Sequence, residues 1–77
     1  MLVRVYSTPN CPYCHILKDF LKKNKVKFED IDVSRDPKAA QEMVEKSGQM
    51  GVPVTEIDGK IIVGFNVTAL KQTLKIK

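Results

Sequence analysis

A helix-forming segment between two strand-forming segments is the feature that most constrains how this chain folds. Residues 2–6 are rich in β-branched and aromatic side chains and are followed by turn-forming residues at 7–10. From residue 12 to about residue 24, apolar side chains recur on one face of a helix: Ile16, Leu17, Phe20 and Leu21. Residues 26–33 are again strand-like. The first half therefore predicts a β-α-β unit with two parallel strands.

The next segment carries helix signals at both of its ends. Asp36 precedes Pro37, which places an N-capping side chain directly before a proline at the first helical position. Apolar residues continue at helical spacing as far as Val44, and Gly48 supplies a C-terminal stop. A second helix is therefore predicted between Pro37 and Gly48.

A hairpin and a last helix follow. The strand-like segments 54–57 and 60–63 flank Asp58-Gly59, the dipeptide that best accommodates the positive φ angles of a type I′ turn. Asn66 then precedes a segment with apolar residues on one side and lysines at its end, which suits a capped helix and its dipole.

The order of these elements, βαβαββα, predicts the fold. A right-handed crossover between two parallel strands, joined to a hairpin, gives a four-stranded mixed sheet flanked by three helices. This is the α/β arrangement of the thioredoxin fold. Because the chain has 77 residues and shows no repeat or linker, we expect a single domain over residues 1–77.

Composition and cysteine content indicate the class of protein and the compartment in which we expect it. With 43% hydrophobic and 29% charged residues, the chain matches an ordinary globular protein. No apolar run reaches the roughly 18 residues of a membrane span, and residues 1–6 are too short for a signal peptide. Two cysteines three positions apart do not form a disulfide framework. We therefore expect a cytoplasmic monomer that does not bind membranes.

Lysines are concentrated between residues 18 and 27 and contribute to the net charge of +4. Lys18, Lys22 and Lys25 share a helix face opposite the apolar one, so a solvated face is the expected role. The sequence lacks the interleaving of basic and aromatic residues that favours nucleic-acid binding. We expect no nucleic-acid partner.

The pair Cys11 and Cys14 is the strongest functional signal. Cys11 lies between a strand and the first turn of a helix, where unpaired backbone N–H groups and the helix dipole stabilise a thiolate. Cys14, one turn later, is expected to be more buried, yet near enough to attack a mixed disulfide on Cys11. Pro12 favours the helix start and stiffens the pair. The pattern predicts thiol–disulfide exchange with Cys11 as nucleophile and Cys14 as resolving thiol.

Three other interpretations of this pair remain open. Together with His15, it fits the Cys-x-x-Cys-His pattern of covalent haem attachment, which also needs a second axial ligand and a large pocket. A zinc site would need four ligands, and two cysteines with one histidine suffice only if two copies share the metal. The cysteines could also be ordinary buried residues. Redox chemistry is favoured because proline-led helix starts rarely place such a pair by accident, and we expect no bound metal.

Two further residues and motifs lie near the cysteines in the predicted fold. His15 is expected to tune the local field rather than to carry protons. Pro53 opens a strand after a glycine-containing segment and favours a cis bond to Val52. Such a bond would turn the Val52 backbone outward next to Cys11, where an extended substrate could pair with it. The alternative is an ordinary proline at a strand start.

Four features together resemble the glutaredoxin family over nearly the whole chain: Val5-Tyr6 before the loop, Cys11-Pro12-Tyr13-Cys14, Val52-Pro53 and Val63-Gly64-Phe65. The resemblance implies that Cys11 attacks protein disulfides or mixed disulfides of glutathione. It also implies a substrate groove formed by Tyr13, Val52 and Gly64, with Pro12 and Pro53 as further binding residues. Glutathione is then a co-substrate rather than a bound cofactor, and the implied partners are disulfide-containing proteins and a reductase.

Some positions depart from the family pattern. Thr8 stands where a basic residue is usual, Gly51 replaces a threonine, Val63 replaces the first of two glycines, and Asn66 lies near the position of an aspartate. Losing such ionic contacts would weaken glutathione binding by about 1 to 3 kcal/mol. Two electron sources therefore remain open. One is glutathione, and the other is thioredoxin reductase, as for short glutaredoxin-like donors of ribonucleotide reductase. A non-catalytic module would be expected to lack Cys14.

Overall fold

The structure, a computed structural model, describes residues 2–76. In this range the elements are β1 (Val3–Ser7), α1 (Pro12–Lys23), β2 (Glu29–Asp32), α2 (Pro37–Ser47), β3 (Val54–Ile57), β4 (Lys60–Val63) and α3 (Val67–Leu74). The sheet order is β2-β1-β3-β4, with β1 parallel to β2 and antiparallel to β3, and β4 antiparallel to β3. The predicted thioredoxin fold is confirmed. Met1 and Lys77, the ends of the predicted domain, lie outside the described residues.

The core has two layers because successive side chains of the central strands point to opposite faces of the sheet. The layer under α1 and α3 consists of Val3, Val5, Leu17, Leu21, Ile57, Ile62, Leu70 and Leu74. The layer under α2 consists of Tyr6, Ala39, Met43 and Val54. Burying a leucine or valine contributes about 1.5 to 3 kcal/mol. Helix α1 is therefore firmly anchored on the sheet, which fixes its N-terminus beside the end of β1.

Strand β2 is shorter than predicted. The sequence indicated a strand over residues 26–33, whereas β2 spans Glu29–Asp32. The N–H groups of Lys25 and Val26 donate to the carbonyls of Lys22 and Leu21 at 3.0 and 2.9 Å, so this segment closes α1 instead of pairing with β1. Val26 still packs against the larger core layer. Its apolar character reflects this packing rather than strand pairing.

Other local predictions are confirmed. The side chain of Asp36 caps α2, and Gly48 ends this helix with a φ of 75° in the left-handed region. Asp58 and Gly59 have φ angles of 48° and 89°, as the hairpin turn requires. Asn66 caps α3 through its side-chain oxygen. None of the helices within residues 2–76 is long and apolar enough to cross a membrane.

Two residues of α1 do not lie where the helical pattern placed them. Ile16 was expected on the buried face, but its exposed fraction is 45%. Lys18 was expected on a solvated face, but its side chain is 14% exposed and paired with Asp30. The helix rests on the sheet through Cys14 and the leucines that follow it, so both residues lie at the edges of the contact. The long lysine stem can reach the neighbouring strand from this edge.

Candidate active site

Cys11 occupies the N-cap position of α1, as the sequence predicted. The backbone N–H of Cys14 donates to the Cys11 Sγ at 3.1 Å. Pro12 is at the start of the helix, where its missing N–H leaves no hydrogen bond unmade. Cys11 is half-buried, and its Sγ lies 3.9 Å from the carbonyl oxygen of Val52. The Cys11 sulfur is therefore partly open to solvent and in contact with a backbone N–H of the first helical turn.

Cys14 has a different environment. Its side chain is fully buried, which confirms the predicted difference between the two cysteines. Burial, followed by the hydrogen bond with Cys11, raises the pKa of Cys14 from 9.0 to about 11. A backbone hydrogen bond from Thr8 and the charge of Lys18 act in the opposite direction. Cys14 is therefore a protonated thiol at neutral pH, directly behind the more accessible sulfur.

An apolar groove of about 260 Å³ lies beside Tyr13 and is lined by Tyr13, Val52, Pro53, Gly64 and Phe65. The Val52–Pro53 bond is cis, as predicted, and the Gly64 N–H donates to the Pro53 carbonyl at 2.8 Å. Tyr13 forms an exposed wall with 63% of its surface accessible. The structure thus brings together four of the predicted substrate-binding residues, while Pro12 lies at the helix start. Their binding role remains a prediction.

Phe65 is a groove residue that the sequence reasoning did not assign. It packs edge-to-face against Phe20, with ring centroids 5.8 Å apart and an interplanar angle of 75°. This contact holds the rim of the groove against α1. In the sequence, the feature that points to Phe65 is its position directly after Gly64 and directly before Asn66, the cap of α3.

A charged cleft of about 250 Å³ lies beside the start of α1 and is lined by Ser7, Thr8, Pro9, His15, Lys18, Asp30 and Asp32. The Ser7 hydroxyl donates to Asp30 Oδ1 at 2.8 Å, and the Lys18 ammonium donates to Asp30 Oδ2 at 3.1 Å. His15 is exposed, and its Nε2 lies 2.8 Å from the Pro9 carbonyl oxygen. Thr8, one of the positions that departs from the family pattern, belongs to this cleft.

A larger cleft of about 560 Å³ lies on the α2 side of the sheet, where Arg4 and Asp36 are among its lining residues. None of its lining residues is a cysteine. Within residues 2–76, no group of three or more His, Cys, Asp or Glu side chains is arranged to hold a metal ion.

A thioredoxin fold with two cysteines at the N-terminus of its first helix defines a thiol redox protein. The sequence model of the Glutaredoxin family matches residues 3–62, and the chain belongs to this family. It is 43% identical over 74 residues to an uncharacterised glutaredoxin-like 8.6 kDa protein of the rubredoxin operon of Clostridium pasteurianum, covering 96% of this chain and 99% of that protein.

Solved structures show the same fold. A crystal structure of a mutant of the thioredoxin-like protein BC3987 is 37% identical, covers 97% of this chain and 96% of its own, and has a TM-score of 0.92. The glutaredoxin-like NrdH-redoxin of Escherichia coli is 26% identical, with coverage of 94% and 93% and a TM-score of 0.84. The resemblance that the motifs indicated is therefore confirmed at the level of the family.

Proposed function

We propose that this protein is a thiol–disulfide oxidoreductase that reduces protein disulfides or mixed disulfides of glutathione by dithiol exchange. The contrast between the two sulfurs carries the proposal. Cys11 is half-buried and accepts a backbone hydrogen bond at 3.1 Å, whereas Cys14 is fully buried directly behind it. Membership of the glutaredoxin family supports the same chemistry.

The reaction proceeds in two exchange steps. First, the Cys11 thiolate attacks one sulfur of the substrate disulfide, and the other sulfur leaves with the bonding electron pair and takes a proton from solvent. Second, Cys14 loses its proton to solvent and its Sγ attacks Cys11 Sγ, which breaks the mixed disulfide. The substrate is released as two thiols, and the protein is oxidised by two electrons to the Cys11–Cys14 disulfide.

The apolar groove is the binding surface in this proposal. It lies beside the nucleophile, and the Val52 carbonyl is 3.9 Å from the Cys11 sulfur. A substrate segment next to its disulfide would lie against Tyr13 and Phe65. Holding the substrate there aligns its sulfur for attack and removes the entropic cost of a bimolecular encounter.

Thioredoxin reductase is the second candidate as electron source. All five residues that line the groove are uncharged, whereas glutathione carries two carboxylates and an ammonium group. The similar NrdH-redoxin of Escherichia coli has a thioredoxin-like activity profile. The chain is also 29% identical over 69 residues to the glutaredoxin-like protein NrdH of Lactococcus lactis. In this version the protein is a small electron donor, for example to ribonucleotide reductase.

A coupled assay tests both proposals. The purified protein is supplied with NADPH and either glutathione plus glutathione reductase or thioredoxin reductase, and reduction of a disulfide substrate is followed through NADPH oxidation. We expect turnover in at least one arm, and its loss in the Cys11→Ser variant. Turnover in neither arm would contradict the oxidoreductase proposal. Turnover with glutathione alone would exclude thioredoxin reductase as the donor.

A further inference from the structure

The charged cleft holds a three-residue array that the two exchange steps described above do not use. Asp30 lies at its centre, with one oxygen bound by the Ser7 hydroxyl and the other by the Lys18 ammonium. The three residues come from β1, β2 and α1, so the tertiary fold assembles the array. Lys18 is 14% exposed, which is unusual for a lysine and shows that its charge is held close to the protein.

Lys18 is placed to act on Cys14 more than on Cys11. It follows Cys14 by four positions on α1, and residues at this spacing are neighbours on a helix, with Cβ atoms about 5 to 6 Å apart. It follows Cys11 by seven positions, about two turns or roughly 10 Å along the axis. Burial raises the pKa of Cys14; the backbone hydrogen bond from Thr8 lowers it, and the charge of Lys18 lowers it by a smaller amount.

A positive charge near Cys14 favours the second exchange step, because Cys14 must lose its proton in that step. Burial is the largest cause of the raised pKa of Cys14, so its thiolate is a minor form at neutral pH. The resolving step must create this anion in a fully buried place, where an uncompensated charge is costly. The first step has no such demand, because the half-buried Cys11 sulfur already accepts a backbone hydrogen bond.

We propose that Lys18, held in place by Asp30 and Ser7, is a positioning residue for the resolving step, where its ammonium charge stabilises the Cys14 thiolate. This role rests on the proposed dithiol function. In this step the Cys14 proton leaves to solvent, and Lys18 takes no part in the proton transfer. Asp30 offsets part of the lysine charge, but it prevents the side chain from extending into water.

Other charged and polar groups also face Cys14 and Lys18. Cys14 is faced by the Cys11 thiol and by a backbone hydrogen bond from Thr8. The cleft around Lys18 also contains His15 and Asp32. The hydroxyl of Ser34 lowers the pKa of Asp32 below its ordinary value, so this carboxylate is charged over the neutral range. Lys18 is therefore the cation that directly favours the thiolate over the thiol in this set.

Stopped-flow reaction of the reduced protein with a symmetric nitroaromatic disulfide separates the two steps. Attack by Cys11 releases a first coloured thiolate, and attack by Cys14 on the mixed disulfide releases a second. In Lys18→Met we expect the first phase to be unchanged and the second to slow about threefold for each unit by which the Cys14 pKa rises. The thiolate fraction falls tenfold per unit, while the nucleophilicity of the remaining thiolate rises about threefold.

Matched variants distinguish a charge effect from a structural one. Lys18→Arg keeps the positive charge and should restore the second phase. Lys22→Met removes an exposed lysine one turn further along α1 and should leave both phases unchanged. Thermal unfolding of each variant checks that the fold is retained.

Several results would overturn the inference. An unchanged second phase in Lys18→Met, equal slowing of both phases, or equal slowing in Lys22→Met would each contradict a specific role for Lys18. Failure of Lys18→Arg to restore the second phase would count against the charge. A wild-type protein that releases only one coloured thiolate would instead contradict the proposed dithiol function.

Discussion

The apolar groove and the charged cleft differ in the charge of their lining residues and in the cysteine that each of them concerns. The groove is lined by uncharged residues and opens beside the accessible Cys11. The cleft contains a lysine, a histidine and two aspartates, and the charge of its Lys18 acts on the buried Cys14. In the two proposals made above, apolar contacts hold the substrate and a fixed charge acts on the resolving thiol.

The geometry of α1 explains how a short chain separates these surroundings. Tyr13 and Lys18 are five positions apart, so they point about 140° away from each other around the helix. Tyr13 meets Gly64 and Phe65 in the groove, whereas Lys18 meets Asp30 of the edge strand β2. The two regions can therefore be altered independently, which makes the comparison testable.

The largest expected effect comes from replacing each of the two cysteines by serine. Cys11→Ser should lose turnover down to the uncatalysed background, because the buried Cys14 is protonated and cannot replace the accessible sulfur. Cys14→Ser should still attack a disulfide once and then remain as a mixed disulfide on Cys11. Mass spectrometry of the reacted proteins measures both outcomes.

One result would contradict the assignment of Cys11 as the accessible nucleophile and Cys14 as the buried resolving thiol. If Cys11→Ser formed a mixed disulfide on Cys14 as quickly as Cys14→Ser forms one on Cys11, the accessible and buried roles would be wrongly assigned. The double variant provides the background for both measurements.

An intermediate effect is expected on stability at high pH. The pKa of Cys14 is raised from 9.0 to about 11, so the folded protein retains a proton that the unfolded chain has lost. Stability is unaffected by this group below about pH 9 and falls as pH rises towards 11. Between about pH 9 and about pH 11 the loss should be about 2 kcal/mol, measured by urea unfolding under reducing conditions.

Cys14→Ala is the control for this titration, because lysines and tyrosines also titrate at high pH. The comparison concerns the slope of stability against pH and not the absolute stability, since the alanine also removes packing. Equal slopes in the two proteins would show that Cys14 is not shielded as the structure indicates.

The smallest effect is expected in the groove. Tyr13 is 63% exposed, so Tyr13→Ala removes only part of an aromatic contact with the substrate. We expect a loss of about 1 kcal/mol, or about fivefold in kcat/KM for a protein disulfide, with the resolving phase unchanged. Tyr13→Phe keeps the ring and should retain most of the activity. A slower resolving phase in Tyr13→Ala would contradict the separation of groove and cleft.

Local signals predicted most of the fold. The caps at Asp36 and Asn66, and the turn at Asp58-Gly59, depend on residues close in sequence, and the structure bears them out. The strand over residues 26–33 was predicted too long, because β propensity does not distinguish pairing from packing. Only the position of β1 in the sheet shows that residues from 29 onward form the ladder.

The candidate site divides in the same way. The N-cap position of Cys11 and the burial of Cys14 follow from the motif and its place before a helix. Ile16 and Lys18 were misplaced because both lie at the margin of the helix face that contacts the sheet. At such a margin, a small rotation of the helix decides whether a side chain faces solvent or a neighbour.

The sequence by itself determined the order of the elements, the reactive pair at the helix start and the family. These depend on hydrogen bonds and side-chain spacing within a few residues. The motifs also predicted that the Val52 backbone lies next to Cys11, and the structure shows its carbonyl oxygen 3.9 Å from the Cys11 sulfur. Only the tertiary structure decided that Asp30, 12 positions away, holds Lys18. Contacts between distant residues depend on how the helix packs on the sheet, which no local pattern specifies.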